Sequence, residues 1–188
     1  MLYDINGNRK YLTSEEREAF LKAAETTEPQ IRTFCTVLAY TGARISECLA
    51  LSPAHVDLAE KAVVIECLKK RRRGIFRVVP IPDDLLELLV KVHKLNDTPN
   101  GRICIWNWGR TTAWRNVKLI MLAAGIRADL AKPKTLRHTF GVQGARAGVS
   151  LNLLKRWLGH SRLETTSIYV DAIGEEERTI AARMWFSP

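Results

Sequence analysis

The spacing of apolar positions along the chain predicts a series of helices interrupted by one β-hairpin. Thr13-Ser14-Glu15-Glu16 has the form of a capping box, with Thr13 as the cap and Glu16 reaching back to it, and it opens a helix with Ala19, Phe20, Ala23 and Ala24 on its apolar face. A second helix from about Gln30 carries Ile31, Phe34, Cys35, Leu38 and Ala39 at helical spacing up to Gly42, which reads as a stop. The chain restarts at Ile45-Ser46-Glu47-Cys48-Leu49 and breaks at Ser52-Pro53. The β-branched run Val63-Val64-Ile65 predicts a strand within Ala62 to Leu68, and Ile75 to Ile81 a second, joined by the basic tip Lys69-Lys70-Arg71-Arg72-Arg73-Gly74. Pro82-Asp83-Asp84 starts a helix that turns Leu85, Leu86, Leu89, Val92 and Leu95 inward. Asn96 to Arg110, rich in Pro, Gly and Asn, reads as a long connection. Later helices are expected at 112–124, 137–147, 151–158, 165–171 and 175–185, punctuated by Gly125, Pro133, Gly148 and Gly159. The fold class expected is α+β, mainly helical, with a small antiparallel sheet.

Composition narrows this. The 188 residues are 46% hydrophobic, enough for one full core, so a single domain over 1–188 is expected. The first residues lack the basic start and apolar run of a secretory signal, and no stretch reaches the roughly 18 apolar residues of a membrane span. A soluble, cytoplasmic protein with no membrane partner is therefore expected. Cys35, Cys48, Cys67 and Cys104 are widely spaced without a CxxC or Cys/His pattern, so they read as reduced core cysteines rather than metal ligands. Tryptophans 106, 108, 114, 157 and 185 are likewise assigned to packing rather than to base stacking. Lys and Arg number 29 against 20 Asp and Glu, a net charge of +9, which suits a polyanionic partner such as nucleic acid.

Where the cations fall is more telling than how many there are. Four separated segments carry the candidate chemistry: Thr41-Gly42-Ala43-Arg44-Ile45-Ser46-Glu47, the Lys69/Lys70 hairpin, Lys134-Thr135-Leu136-Arg137-His138-Thr139-Phe140, and Leu158-Gly159-His160-Ser161 followed by Thr165-Thr166-Ser167-Ile168-Tyr169. Together they resemble the arginine, lysine, H-x-x-R, histidine and tyrosine boxes of the tyrosine recombinases, the phage-integrase and Xer-like enzymes. The likeness covers nearly all of the chain from about Leu12 to Asp171, and its last two boxes are the most specific.

The resemblance implies the catalytic domain of a site-specific recombinase that cuts and rejoins double-stranded DNA through a 3′-phosphotyrosyl link, with no cofactor and no metal. A phosphodiester repels nucleophiles, so such an enzyme needs cations set against the charge of the transition state. Arg44 and Arg137 match the pair that holds the two non-bridging oxygens, a task suited to the planar guanidinium fork. Tyr169 matches the nucleophile; a phenol of pKa about 10 needs a base or positive potential beside it. The resemblance gives His160 a hydrogen bond to the phosphate or a part in handling the tyrosine's proton. It makes a hairpin lysine the general acid for the 5′-oxygen, Lys69 by count with Lys70 a close competitor. A charge run at a hairpin tip is usually solvated or phosphate-binding, and Lys70, Arg71, Arg72 and Arg73 are read here as the DNA-binding run.

One position departs from the pattern: Lys134 stands where many members have histidine, and the family tolerates lysine there. His138 falls one residue after Arg137, where members commonly have a histidine of their own, so it is not taken as a replacement. Glu47 is assigned to supporting Arg44 or its helix. Family members usually carry an N-terminal helical domain that grips the opposite face of DNA; here residues 1–12 precede the first helix, so that domain is expected to be absent, with a fragment and a minimal recombinase both open. The tail, 174–188, reads as an amphipathic helix exchanged between protomers of a DNA-bound tetramer or packed on its own domain. Rival readings are a non-catalytic DNA-binding protein on this fold, and a type IB topoisomerase-like or telomere-resolving enzyme.

Overall fold

The computed structural model describes residues 1–68, 74–98, 101–170, 181, 182 and 185. Its first helix, α1 (Ser14–Glu25), opens with the capping box: the Glu16 backbone N–H donates to Thr13 Oγ1 at 3.2 Å and the Thr13 N–H donates to Glu16 Oε2 at 2.9 Å. Two groups without helical partners are thereby satisfied by the helix's own side chains. Helix α2 (Pro29–Thr41) ends where Gly42 takes the left-handed conformation, φ 60°, which lets its N–H close on the Leu38 carbonyl. The short α3 (Ile45–Leu49) follows, then a 3₁₀ turn at Pro53–His55.

The sheet has three antiparallel strands in the order β1 (Val56–Asp57), β2 (Ala62–Glu66) and β3 (Phe76–Pro80). The expected hairpin is β2–β3, with Val64 opposite Val78. Strand β1, which pairs Val56 with Val63, is too short to leave an alternation in the sequence and was not expected. Along β3 burial alternates, with Arg77 and Val79 inward and Phe76 and Val78 outward, as the pleat requires.

Helices α4 (Asp83–His93), α5 (Arg110–Ala123), α6 (Pro133–Arg146), α7 (Leu151–Leu158) and α8 (Glu164–Ser167) complete the described structure. Two boundaries correct the sequence expectation. Helix α6 begins at Pro133, not at 137: proline at the first helical position lacks only an N–H that would have no partner there, so Pro133 starts the helix rather than interrupting it. Helix α8 is a single turn ending at Ser167, short of the expected 171, so Tyr169 lies just beyond it. The expected helix at 175–185 falls almost wholly outside the described residues.

Helix α2 is central and packs against α1, α4 and α6. Phe34, Leu38, Val63, Ile65, Leu89 and Met121 are among the side chains of the main core, which continues through Trp106, edge-on to Phe34 at 5.1 Å. The Trp106 indole N–H donates to the Gln30 carbonyl at 3.0 Å, so the buried ring leaves no unpaired donor. A second, smaller cluster joins Leu2 and Tyr11 to Val142, Leu154, Leu158 and Tyr169. Cys35, Cys48 and Cys67 are buried free thiols, but Cys104 is exposed, because the connection around it runs over the surface. Among the described residues no helix is long and apolar enough to cross a membrane, and no group of three or more His, Cys, Asp or Glu is placed to hold a metal ion.

Candidate active site

Two buried arginines and one buried carboxylate form the floor of the site. Glu47, on α3, accepts the backbone N–H of Arg44 at 2.9 Å and the Arg44 Nη1 donor at 2.7 Å. Its other bond is from Arg77 Nη2 on β3, also at 2.7 Å. Arg77 is held in turn by donating Nε to the Trp157 carbonyl at 2.7 Å. Burial pushes the Glu47 carboxyl upward, but the hydrogen bond and charge of Arg77, with those of Arg44, overcome it and leave the group below its ordinary value. Glu47 is thus a fixed anion that orients Arg44 and ties α3 to the sheet, which combines both roles expected of it.

Arg137, on α6, is only 7% exposed. It donates Nη1 to the Gly42 carbonyl at 2.8 Å and Nη2 to the Leu158 carbonyl, so two of its five N–H donors anchor it to the ends of α2 and α7. Burial, followed by the nearby charge of Arg44, lowers its pKa to about 10, which leaves it cationic at neutral pH. Gly42 serves this contact twice: its left-handed φ presents the carbonyl, and a Cβ there would lie 2.7 Å from the Phe140 ring.

His160 follows Gly159, the left-handed residue that ends α7. Its Nδ1 is engaged with Thr166 Oγ1 at 2.9 Å, which leaves Nε2 as the nitrogen available to a ligand. Burial and the charges of Arg137, Arg44 and Arg77 hold its pKa down to about 4. Its ring stacks on that of Tyr169, 12° from parallel with centroids 6.3 Å apart.

Tyr169 is 2% exposed. Its ring lies directly on Gly141 of α6, where a Cβ would come within 2.5 Å of Cζ, so only glycine admits the phenol at this depth. Its hydroxyl meets His138 Nδ1 at 3.4 Å. Burial raises the phenol's pKa, against the opposing pull of Arg137 and Arg44.

Arg44, Lys134, Arg137, His138, His160 and Tyr169 all line one cleft of about 750 Å³. Lys134 is exposed on the first turn of α6. Lys69, Lys70, Arg71, Arg72 and Arg73 lie outside the described residues; Leu68, immediately before them, lines the cleft.

Three features went unrecognised in the sequence. Arg77 is a buried partner of Glu47, and the signal was a cation at an inward position of an alternating strand. Arg110 and Lys132 also line the cleft. Trp114 lines it too and is 40% exposed, with Lys118 Nζ 5.2 Å from its ring, so it is not the core residue expected. Arg110, Trp114 and Lys118 recur every four residues along one face of α5, a pattern visible beforehand. Trp185, 67% exposed, also departs from the packing assignment, whereas Trp106, Trp108 and Trp157 pack as expected.

The sequence model of the phage integrase family matches residues 10–176. A tyrosine recombinase of Thermosipho africanus is 31% identical over 173 residues, 89% of this chain and 59% of the relative. Tyrosine recombinase XerA of Thermococcus onnurineus is 30% identical over 176 residues, 90% of this chain and 60% of the relative. The chain therefore spans about three-fifths of the length of these curated relatives. Among solved structures, XerH site-specific recombinase in a post-cleavage complex with its difH substrate superposes with TM-score 0.79 at 23% identity, covering 93% of this chain and 53% of that one. The catalytic domain of bacteriophage HP1 integrase superposes with TM-score 0.66 at 24% identity, covering 95% of both chains. These likenesses establish the fold as that of a tyrosine-recombinase catalytic domain.

Proposed function

The chain belongs to the phage integrase family, and from that membership we propose that it breaks and rejoins DNA strands at specific sites, with Tyr169 as the nucleophile. The observation that carries this reading is the convergence of Arg44, Arg137, His160 and Tyr169, from segments far apart in sequence, on one cleft.

In this reading the scissile phosphate enters the cleft with its non-bridging oxygens toward Arg44 and Arg137, whose donors not used for anchoring bind the growing negative charge. His160 donates Nε2–H to the same phosphate, its neutral tautomer set by the contact with Thr166. Attack by Tyr169 Oη forms the O–P bond as the bond to the 5′-oxygen breaks, leaving a 3′-phosphotyrosyl link. The 5′-oxygen leaves with a proton from Lys69 or Lys70. Rejoining is the reverse reaction with a 5′-hydroxyl, and the bond energy is kept in the covalent link. Lys134 supplies a further cation beside the phosphate.

The experiment is incubation with nicked duplexes of randomised sequence in the presence of a chelator. A covalent protein–DNA adduct is expected from the wild type and none from Tyr169→Phe, with DNA binding retained; an adduct formed by the phenylalanine variant would refute the nucleophile assignment.

Assembly into a tetramer on paired DNA sites, coupled through residues 174–188, belongs to the same proposal. Joining the protomers on one duplex raises their effective concentration, so a small interface suffices. Removing 174–188 is expected to abolish cooperative two-site binding in a gel-shift titration while the far-UV circular dichroism spectrum stays native. Cooperative binding by the truncated chain would count against the tail.

A further inference from the structure

Resting on the phosphotyrosine reading above, we propose that His138 is the proton acceptor for Tyr169 when the strand is cut and returns that proton when it is rejoined. The geometry singles it out. Among the described residues, the hydrogen-bond partner of Tyr169 Oη is His138 Nδ1, at 3.4 Å. That is long for a formed bond, as expected of a catalytic contact that tightens only when substrate arrives. The neighbouring groups are less suited. His160 lies nearly parallel to the phenol ring with Nδ1 committed to Thr166, and it makes no hydrogen bond to the hydroxyl. Lys134, in the position where a histidine is common, would bring an ammonium, which has three donors and no lone pair.

His138 is also in a suitable state. Burial, followed by the charges of Lys134 and Arg137 and then of Lys10 and the N-terminus, holds its pKa near 4, so at neutral pH the ring has a lone pair to offer. Its Nε2 is buried with no protein partner among the described residues. When Nδ1 accepts from the phenol, Nε2 carries the ring's hydrogen. A phosphate in the cleft brings negative charge toward this ring and makes it a better base at the step that needs one.

Transfer from a phenol of raised pKa to so weak a base is unfavourable in the free protein. It becomes favourable as the Oη–P bond forms, because electron density leaves the phenolic oxygen and its proton turns acidic. The proton passes from Oη to Nδ1 as the Oη–P bond forms and the P–O5′ bond breaks, and the 5′-oxygen takes a separate proton from the hairpin lysine. In the reverse direction the imidazolium protonates the departing Oη.

The test measures single-turnover adduct formation on the nicked duplexes selected with wild-type protein, and on the same duplexes with sulfur at the bridging 5′ position. His138→Asn places an amide atom near Nδ1 and can keep the hydrogen bond, but it cannot carry the proton away. It is expected to slow adduct formation by about a hundredfold or more, the usual loss for a general base, with DNA affinity unchanged. The sulfur leaving group should not repair this defect, since it removes the need for an acid and not for a base. Incorporating difluorotyrosine at position 169, whose phenol is more acidic, should narrow the gap between the wild type and His138→Asn by at least about tenfold. A His138→Asn rate within about threefold of wild type, repair by sulfur, or an unchanged gap with difluorotyrosine would each overturn the proposal. An adduct absent from wild type on every duplex would remove the phosphotyrosine reading itself, whereas an adduct that depends on Tyr169 but not on His138 would remove this inference alone.

Discussion

Glu47 shows how much of the site depends on one side chain with no exposure of its own. Two guanidinium groups share it, that of Arg44 partly exposed and lining the cleft, that of Arg77 buried behind it. A buried ion pair gains little net stability, but removing one partner leaves an uncompensated charge in a medium that solvates it poorly. Glu47→Gln is therefore expected to cost about 3–5 kcal/mol, read as a lower urea midpoint at constant slope. A change below about 1 kcal/mol would mean that water reaches Arg77 once the carboxylate is gone. Neither Arg77 nor Gly42 and Leu158, whose carbonyls anchor Arg137, is among the residues that line the cleft, yet they hold Glu47, the partner of Arg44, and Arg137 itself. The same holds for Gly141, whose missing side chain is the space the Tyr169 ring occupies.

At the scale of elements, the site is made where helix ends and strand ends meet. Arg44 sits between α2 and α3, Arg137 just past the first turn of α6, and His160 just past α7. Tyr169 follows the single turn of α8. Chain ends of this kind leave backbone carbonyls free, and Arg137 uses two of them, from Gly42 and Leu158, as its anchors. The β2–β3 hairpin brings Leu68 to the cleft with the basic run 69–73 next in sequence. If those arginines meet phosphates, each releases condensed counterions, and log K for a mixed-sequence duplex falls by about 0.9 per contact per log unit of salt. Replacing Arg71, Arg72 and Arg73 with alanine should then make that slope shallower by up to about 2.7, measured by fluorescence anisotropy across a salt series. An unchanged slope would place the tip away from DNA.

Across the whole molecule, Tyr169 belongs to the smaller apolar cluster, while Ala43 and Ile45, which line the same cleft, belong to the main core. Enclosing the site in this way leaves a signature in the pH dependence of stability. His93, His138 and His160 are each held near pKa 4, all three chiefly by burial, so as pH falls the unfolded chain takes up protons first. Stability should therefore be full above the unfolded histidine value of about 6.5, fall steadily below it, and level off only near pH 4, where the folded histidines protonate. Urea midpoints at about pH 7.5 and about pH 5 should differ accordingly. The difference should shrink in His93→Gln, which keeps an atom for the Thr33 contact and lies outside the cleft. Equal midpoints in the wild type would show that these rings protonate without opening the fold.

What could be decided locally was legible in the sequence. The Thr13/Glu16 capping box, the stop at Gly42 and the β2–β3 hairpin depend on residues within a few positions of one another, and side-chain periodicity reports them directly. The candidate residues themselves were legible through their resemblance to a known set of boxes, because each box is a short segment. Local pattern was weakest at boundaries: Pro133 has the same identity whether it breaks a helix or begins one, and β1 is too short to show alternation. Only the tertiary structure decided which side chains meet. Arg77 lies 30 residues from Glu47 and His138 lies 31 from Tyr169, so neither contact leaves a periodic trace in the chain. Those contacts arise because burying apolar faces fixes how the helices and sheet pack, and the polar groups carried inward must then find partners wherever the packing puts them.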